Sequence, residues 1–355
     1  MAIFDSPAET LKSLKNVGYI TDEATAAHVY FASKLNKALL LEGPAGAGKT
    51  ELALSIAKAG NMPFIRLQCY NGITDNEAIG HFDDALQRLF VERESQAGTQ
   101  RSFAEIVQEI RSRQFYISGP FLEAIESPTR SVLLIDEIDK IDYSFEALLL
   151  ELLSVWQLSI PGMGTVSANT IPFVVMTSNA EREIGFALRR RSLYILVEHP
   201  TPEREAEIVA RKTPNCSPAT HRFIAGFAIA LRRQSFDKPP SISEMNDVAL
   251  ALEMMGLTEI LPEHKMLILP LIIKTKDDRS QVLRKNKLFE TILDQSILYA
   301  NAMNENQVEQ ALELDENIEG LPASIEVMAN ALDGIIPAMD ESFDTSFSES
   351  EVAVA

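Results

Sequence analysis

The chain has 355 residues, enough for two domains of ordinary size. Its 51 acidic and 32 basic residues give a net charge of −19, and 15 of the acidic residues but none of the basic ones follow Lys287. Such a chain is a poor sequence-independent binder of nucleic acid or anionic membranes; Cys69 and Cys216 alone exclude a disulfide framework and a cysteine-built zinc site, and the five histidines form no HExxH metalloprotease motif. The opening MAIFDSPAETLKSLKN has no apolar run of the signal-peptide kind, and no stretch approaches ~18 uncharged apolar residues. A cytoplasmic protein without a membrane span is expected.

Residues 9–35 read as a helix, a turn at Gly18-Tyr19 and a second helix with Thr21 or Asp22 as its N-cap. Five short aliphatic runs follow, Ala38–Leu41, Pro63–Leu67, Val132–Ile135, Phe173–Met176 and Leu193–Val197, separated by helical patterns. None alternates with polar residues, as expected of strands covered on both faces, and strands alternating with helices predict a parallel α/β sheet. After His199-Pro200 the pattern is helical throughout. The sequence therefore divides into an α/β domain over 1–200, a smaller all-helical domain over 201–287 and an acidic extension over 288–355. Residues 307–336 have helical apolar spacing suited to docking on the helical domain or a partner, and the Ser-rich acidic end is expected to be disordered.

The first strand runs into GPAGAGKT, residues Gly43, Pro44, Ala45, Gly46, Ala47, Gly48, Lys49 and Thr50, and a helical pattern follows at once. This fits G-x-x-x-x-G-K-[ST] at every fixed position and in the strand-to-helix setting the motif needs. Glycines let backbone N–H groups curl around a phosphate, and the helix N-terminus adds a partial positive charge aimed at the same anion. Lys49 is placed for the β- and γ-phosphates and Thr50 for Mg²⁺. The third strand ends in Asp136-Glu137: an aspartate there holds the metal shell, and the next carboxylate can activate a water. Asp139 and Asp142 read as solvent-facing or capping residues. Asn179, at the end of the fourth strand, stands at the ligand-binding edge of a parallel sheet, where it can share the attacking water with Glu137. Arg189, Arg190 and Arg191 precede the fifth strand as a solvated cluster, a nucleic-acid patch or an arginine finger, and spacing does not choose among them.

Over about residues 10–280 the chain resembles the AAA+ ATPases and, within them, the MoxR family, most closely its branch associated with maturation of carbon monoxide dehydrogenase. GYITDE before the phosphate loop, IRLQCYNGITDNEAIG, WQLSIPGMGTVSA and FALRRRSLYILVEHPTPERE carry the likeness. The resemblance implies a P-loop αβα sandwich with a five-stranded parallel sheet and a small all-helical lid. It makes Lys49 and Thr50 the Walker A residues, Asp136 and Glu137 the Walker B pair and Asn179 sensor 1. Arg191 becomes the trans-acting finger, with Arg190 as second choice, and Tyr19 and Ile20 belong to the loop that packs on adenine. ATP and Mg²⁺ are the implied cofactors. The implied assembly is a ring, by family a hexamer, acting on a client protein complex, often with a von Willebrand factor A-domain partner. Insertions at about 71–120 and 156–171 would face the pore, with Trp156 packing the hairpin. The sequence departs from the family pattern where a lid arginine (sensor 2) is expected, since Ser243 stands there with only Lys238 nearby. Two further functions stay in view: a nucleic-acid motor using Lys274 and Lys276, Arg232 and Arg233, or Arg189–Arg191, and a nucleotide-gated scaffold, against which Glu137 argues.

Overall fold

The computed structural model describes residues 3–96, 101–285 and 287–304. Five strands, β1 (Ala38–Glu42), β2 (Phe64–Gln68), β3 (Val132–Asp136), β4 (Phe173–Ser178) and β5 (Ser192–Leu196), form one sheet in the order β2-β3-β4-β1-β5, every neighbouring pair parallel. Successive side chains leave opposite faces of a strand, and the aliphatic runs separate accordingly. Leu40, Leu133, Ile135, Val174 and Met176 pack with Phe121, Phe145 and Leu149 of helices Pro120–Glu126 and Tyr143–Val155. On the other face Leu39, Leu41, Val132, Leu134 and Val175 meet Leu14, Val29, Leu52 and Ile56 from helices Pro7–Asn16, Glu23–Leu35 and Lys49–Ala59. This is the expected αβα sandwich.

The strands β1, β3 and β4 run past their aliphatic stretches to end in Glu42, Asp136 and Ser178. Ladder pairing continues there, with Glu42 in register with Ser178 and Gln68 with Asp136, so polar side chains are carried to the carboxyl edge of the sheet. Between β2 and β3 the chain adds a two-stranded ribbon, Gly80–Phe82 with Tyr116–Ser118, carrying helices Asp84–Gln96 and Phe103–Ile110. A hairpin, Gln157–Ile160 with Gly164–Ser167, precedes β4, and Trp156 opens it in a left-handed conformation, packed against the core. Both insertions fall where the sequence placed them.

Beyond β5 the fold is helical: Pro202–Lys212, Pro218–Arg232, Ile242–Met255, Lys265–Ile272, Lys276–Arg284 and Leu288–Asn304. The last of these corrects the expected boundary at Lys287. Phe289, Ile292, Leu293 and Tyr299 belong to the same apolar core as Phe223, Phe227, Val248 and Leu252. The cause is close approach: a Cβ at Gly226 would stand 2.4 Å from the Ser296 carbonyl oxygen, so glycine lets the two helices touch backbone to backbone. Residues 305–355, including the helical spacing read at 307–336 and the end expected to be disordered, lie outside the described residues.

The helical domain is tied back to the N-terminal helices. Arg204 pairs with Asp22 at 2.8 Å and donates to the Ile20 carbonyl at 3.3 Å, and Arg211 donates to the Lys15 carbonyl at 2.9 Å. Asp22, not Thr21, caps the second helix, accepting from the Thr25 amide at 2.6 Å.

Candidate nucleotide site

The loop Gly43–Gly48 leaves β1 at the place where the strand order reverses, with β4 on one side and β5 on the other. Open α/β sheets bind ligands at such a point. Gly46 and Gly48 have φ of +72° and +88°, a region that β-carbons disfavour. Gly43 is required by proximity, since a Cβ there would lie 2.0 Å from the Val197 carbonyl oxygen.

Lys49 is buried, and its three N–H groups are matched to Gly43 O at 2.6 Å, Pro44 O at 2.8 Å and Asn179 Oδ1 at 2.8 Å. Burial lowers its pKa below the usual lysine value, while Asp139, Asp136 and Glu137 work in the opposite direction. The structure thus joins Lys49 directly to Asn179, from residues 130 apart in sequence. The Thr50 hydroxyl lies 3.2 and 3.3 Å from the two carboxylate oxygens of buried Asp136, and the Thr177 hydroxyl donates to the same carboxylate. Thr177 also accepts the Glu137 amide at 2.9 Å. That bond holds Glu137 at φ +59°, a left-handed conformation costing on the order of 1–2 kcal/mol for a residue with a Cβ. Strain at a half-buried carboxylate beside a phosphate loop is a mark of a functional position.

A hydroxyl and a carboxylate in contact are the hard oxygen donors that Mg²⁺ prefers. No group of three or more His, Cys, Asp or Glu able to hold a metal exists among the described residues. A divalent cation held by Thr50 and Asp136 would therefore draw the rest of its shell from phosphate oxygens and water, as Mg²⁺ commonly does. The donor set and the glycine cradle fit Mg²⁺ and a polyphosphate.

Of the two acids read as solvent-facing or capping, Asp142 caps helix Tyr143–Val155, while Asp139 is not solvent-facing. It is buried, and its Oδ2 accepts the backbone amides of Asn179 and Glu181, both at 3.1 Å, fixing the segment after β4. Arg66 of β2, also missed in the sequence, bonds Asp136 Oδ2 at 2.6 Å. On the helical side, Ser241 caps helix Ile242–Met255 and lies against the phosphate loop; a Cβ on Gly46 would meet the Ser241 hydroxyl at 2.2 Å. Ser243, read as standing at the expected lid-arginine position, is exposed in the first turn of this helix and donates its amide to the Ser241 hydroxyl at 3.2 Å, and Lys238 is also exposed. Arg232 supports this cap from behind, bonding Glu205 at 2.6 and 2.7 Å and the Pro240 carbonyl at 2.8 Å.

Tyr19 is half-buried, with its hydroxyl 3.5 Å from the Gly48 carbonyl oxygen, and burial pushes its phenol up to about 12. Ile20 is buried, its carbonyl held by Arg204, so the Tyr19-Ile20 segment is fixed between the phosphate loop and the helical domain. The three arginines separate. Arg189 turns inward to Glu42 at 3.3 Å and over the Tyr194 ring. Arg190 and Arg191 are exposed, Arg190 over the Phe186 ring and Arg191 bonded to Ser154 at 2.7 Å and the Ala187 carbonyl at 3.2 Å. They are not brought to Lys49, Thr50 or Asp136 of their own subunit.

Residues 39–197, from β1 to just past β5, match the family described as ATPase family associated with various cellular activities (AAA). This stretch is a AAA ATPase domain. Over a longer span the chain is similar to an uncharacterized protein of Staphylococcus haemolyticus, 26% identical across 282 residues, 78% of this chain and 98% of that one. A second uncharacterized protein, from Staphylococcus saprophyticus, is 25% identical across 276 residues, 76% of this chain and 96% of its own length. The alignable region therefore extends well beyond the AAA domain. Among the described residues, no helix is long and apolar enough to cross a membrane. The AAA domain supports nucleotide binding and ATPase activity in general terms.

Proposed function

We propose that the chain is a ring-forming ATP hydrolase of the MoxR type that couples turnover to remodelling or activation of a client protein complex. The observation that carries this reading is the division of the site. Lys49, Thr50, Asp136, Glu137 and Asn179 converge at one sheet edge, whereas Arg190 and Arg191 face outward on a helix anchored to Ser154. In the proposed ring Arg191, or Arg190 in its place, neutralises charge on a phosphoryl group bound to the neighbouring subunit. Such a finger is worth roughly 10³–10⁵ in rate. Lys49 and the loop amides bind the phosphates, Thr50 and Asp136 hold Mg²⁺, and bound Mg²⁺ supplies charge neutralisation at the phosphates. Glu137, whose backbone N–H donates to the Thr177 hydroxyl, takes a proton from the attacking water, which Asn179 orients. Tyr19 and Ile20 form the wall for the base. The expected hexamer, the von Willebrand factor A-domain partner, a partner-tuning role for residues beyond 304 and a cytoplasmic setting belong to the same proposal.

A nucleic-acid motor is less well supported. Arg189 and Arg232, two of the cations that would line its channel, sit in ion pairs with Glu42 and Glu205, and residues 1–287 carry 36 acidic against 32 basic residues. The test is ATP turnover per subunit across a wide protein concentration range, alongside sizing. Turnover that rises steeply as larger assemblies appear supports a site completed between subunits. A flat rate from a sized monomer overturns it, and stimulation by DNA would favour the motor.

A further inference from the structure

Arg66 lies on the edge strand β2, two residues before Gln68, which stands in register with Asp136 of β3. Residues two apart on a strand share a face, so Arg66 and Gln68 project on the same side as that carboxylate. Arg66 Nη2 bonds Asp136 Oδ2 at 2.6 Å and also bonds the Gln68 side-chain oxygen, which steadies the guanidinium. The arginine side chain is 48% exposed and the aspartate 6%. Asp136 also meets the hydroxyls of Thr50 and Thr177. A carboxylate offers about four acceptor positions, so its neighbours already take most of them, and the one strong cation among these is Arg66.

Resting on the ATP site proposed above, we infer that Arg66 is a built-in competitor for the metal position, holding Asp136 in metal-free protein and setting the cation concentration at which the site loads. Mg²⁺ held through Asp136 must share this carboxylate with the guanidinium or displace it, and two cations on one carboxylate repel each other. The guanidinium has somewhere to go, since Arg66 stands at a sheet edge with half its side chain in water while Asp136 is buried. The two Thr hydroxyls need not move, since each donates to Asp136 and keeps its own oxygen lone pairs.

The test uses the full chain with Mn²⁺ as a paramagnetic stand-in for Mg²⁺. Bound Mn²⁺ is counted by electron paramagnetic resonance at saturating ADP, and affinity for a fluorescent ADP analogue is measured in excess chelator. Arg66→Gln should lower the half-saturating Mn²⁺ concentration by about 5-fold, with chelator-state nucleotide affinity unchanged. Arg66→Lys, which keeps the positive charge on a shorter side chain, should shift that concentration less than Arg66→Gln. An Arg66→Gln half-saturation equal to or above that of the parent overturns the inference, as does an equal shift in both variants, which would mark a structural role. If all three proteins bind ADP normally while Mn²⁺ loading is unchanged, only this inference falls. If none binds ADP with or without metal, the phosphate-loop reading falls and this one with it.

Discussion

At the carboxyl edge of the sheet, Lys49, Thr50, Asp136, Thr177, Asp139 and Asn179 bond one another across three loops and strands. In the helical domain many polar groups are instead caps and hydroxyls bonded to their own helices, beside the buried pair Glu205–Arg232 and a buried Asp278 that accepts the Asp237 and Lys238 amides. The first arrangement fixes these groups at the sheet edge where the phosphate loop leaves β1. The second holds shape, and sets one serine cap against Gly46. In the proposed ATPase the AAA domain carries the chemistry, and the helical domain sets Ser241 against the phosphate loop. Substitutions in the two regions should therefore fail differently.

The largest effect is expected in the sheet domain. Glu137→Gln keeps the shape and the backbone bond to Thr177 but removes the proposed base, so turnover should fall about 10²- to 10³-fold with nucleotide affinity retained. Steady-state hydrolysis alongside equilibrium nucleotide binding measures both, and a loss under a few-fold would place water activation elsewhere. In the helical domain, Arg232→Met leaves the Glu205 charge buried without its partner, a change worth about 3–5 kcal/mol. Urea unfolding should show the loss. Adding Glu205→Leu should recover much of it, because a well-packed apolar pair often matches a buried ion pair. No recovery in the double variant would mean that Arg232 matters through its bond to the Pro240 carbonyl rather than through charge.

The two regions also differed in what could be read from sequence. That Lys49, Thr50, Asp136 and Asn179 meet at one sheet edge was legible from the phosphate-loop motif and from polar residues at the ends of aliphatic strands, and the five strands were legible because buried parallel strands are aliphatic throughout. Arg66, Thr177 and Asp139 were not assigned these roles, since their partners arise from strand register, 70 residues apart for Arg66–Asp136 and 41 for Thr177–Asp136. Asp139 read as a solvent-facing or capping acid because an acidic run does not say which member a short 3-10 turn, here Ile138–Lys140, points inward. The helical boundary was drawn at the last basic residue. Apolar spacing at Phe289, Ile292, Leu293 and Tyr299 was the better signal, and charge composition masked it.

A smaller effect tests the joint between the regions. His199 follows β5, and burial, with Arg232 adding repulsion, pulls its pKa down from 6.5 to about 4. Above pH 6.5 both folded and unfolded chains hold it neutral, and there is no penalty. As the pH falls through 6.5 the unfolded chain gains a proton that the folded chain refuses, so stability declines until about pH 4. Partial solvent access discounts the full linkage to about 1–3 kcal/mol. Denaturant unfolding at pH 7 and pH 5 should show a larger loss in the parent than in His199→Gln, and equal losses would place the acid sensitivity in the carboxylates of the sheet domain.

The smallest effect isolates the contact between the two regions. Ser241 closes a capping box with Glu244, accepting from the Ser243 amide at 3.2 Å while Glu244 accepts the Ser241 amide at 3.0 Å. Ser241→Ala keeps the Cβ that sits against Gly46 and removes only the cap oxygen, costing about 1 kcal/mol of helical-domain stability. If the helical domain acts on the phosphate loop by shape alone, nucleotide affinity should follow that stability loss and move less than about 3-fold. A drop beyond 10-fold with the same unfolding midpoint would give the serine hydroxyl a direct part in holding the nucleotide, and the division between a chemical region and a shaping one would no longer hold at this position.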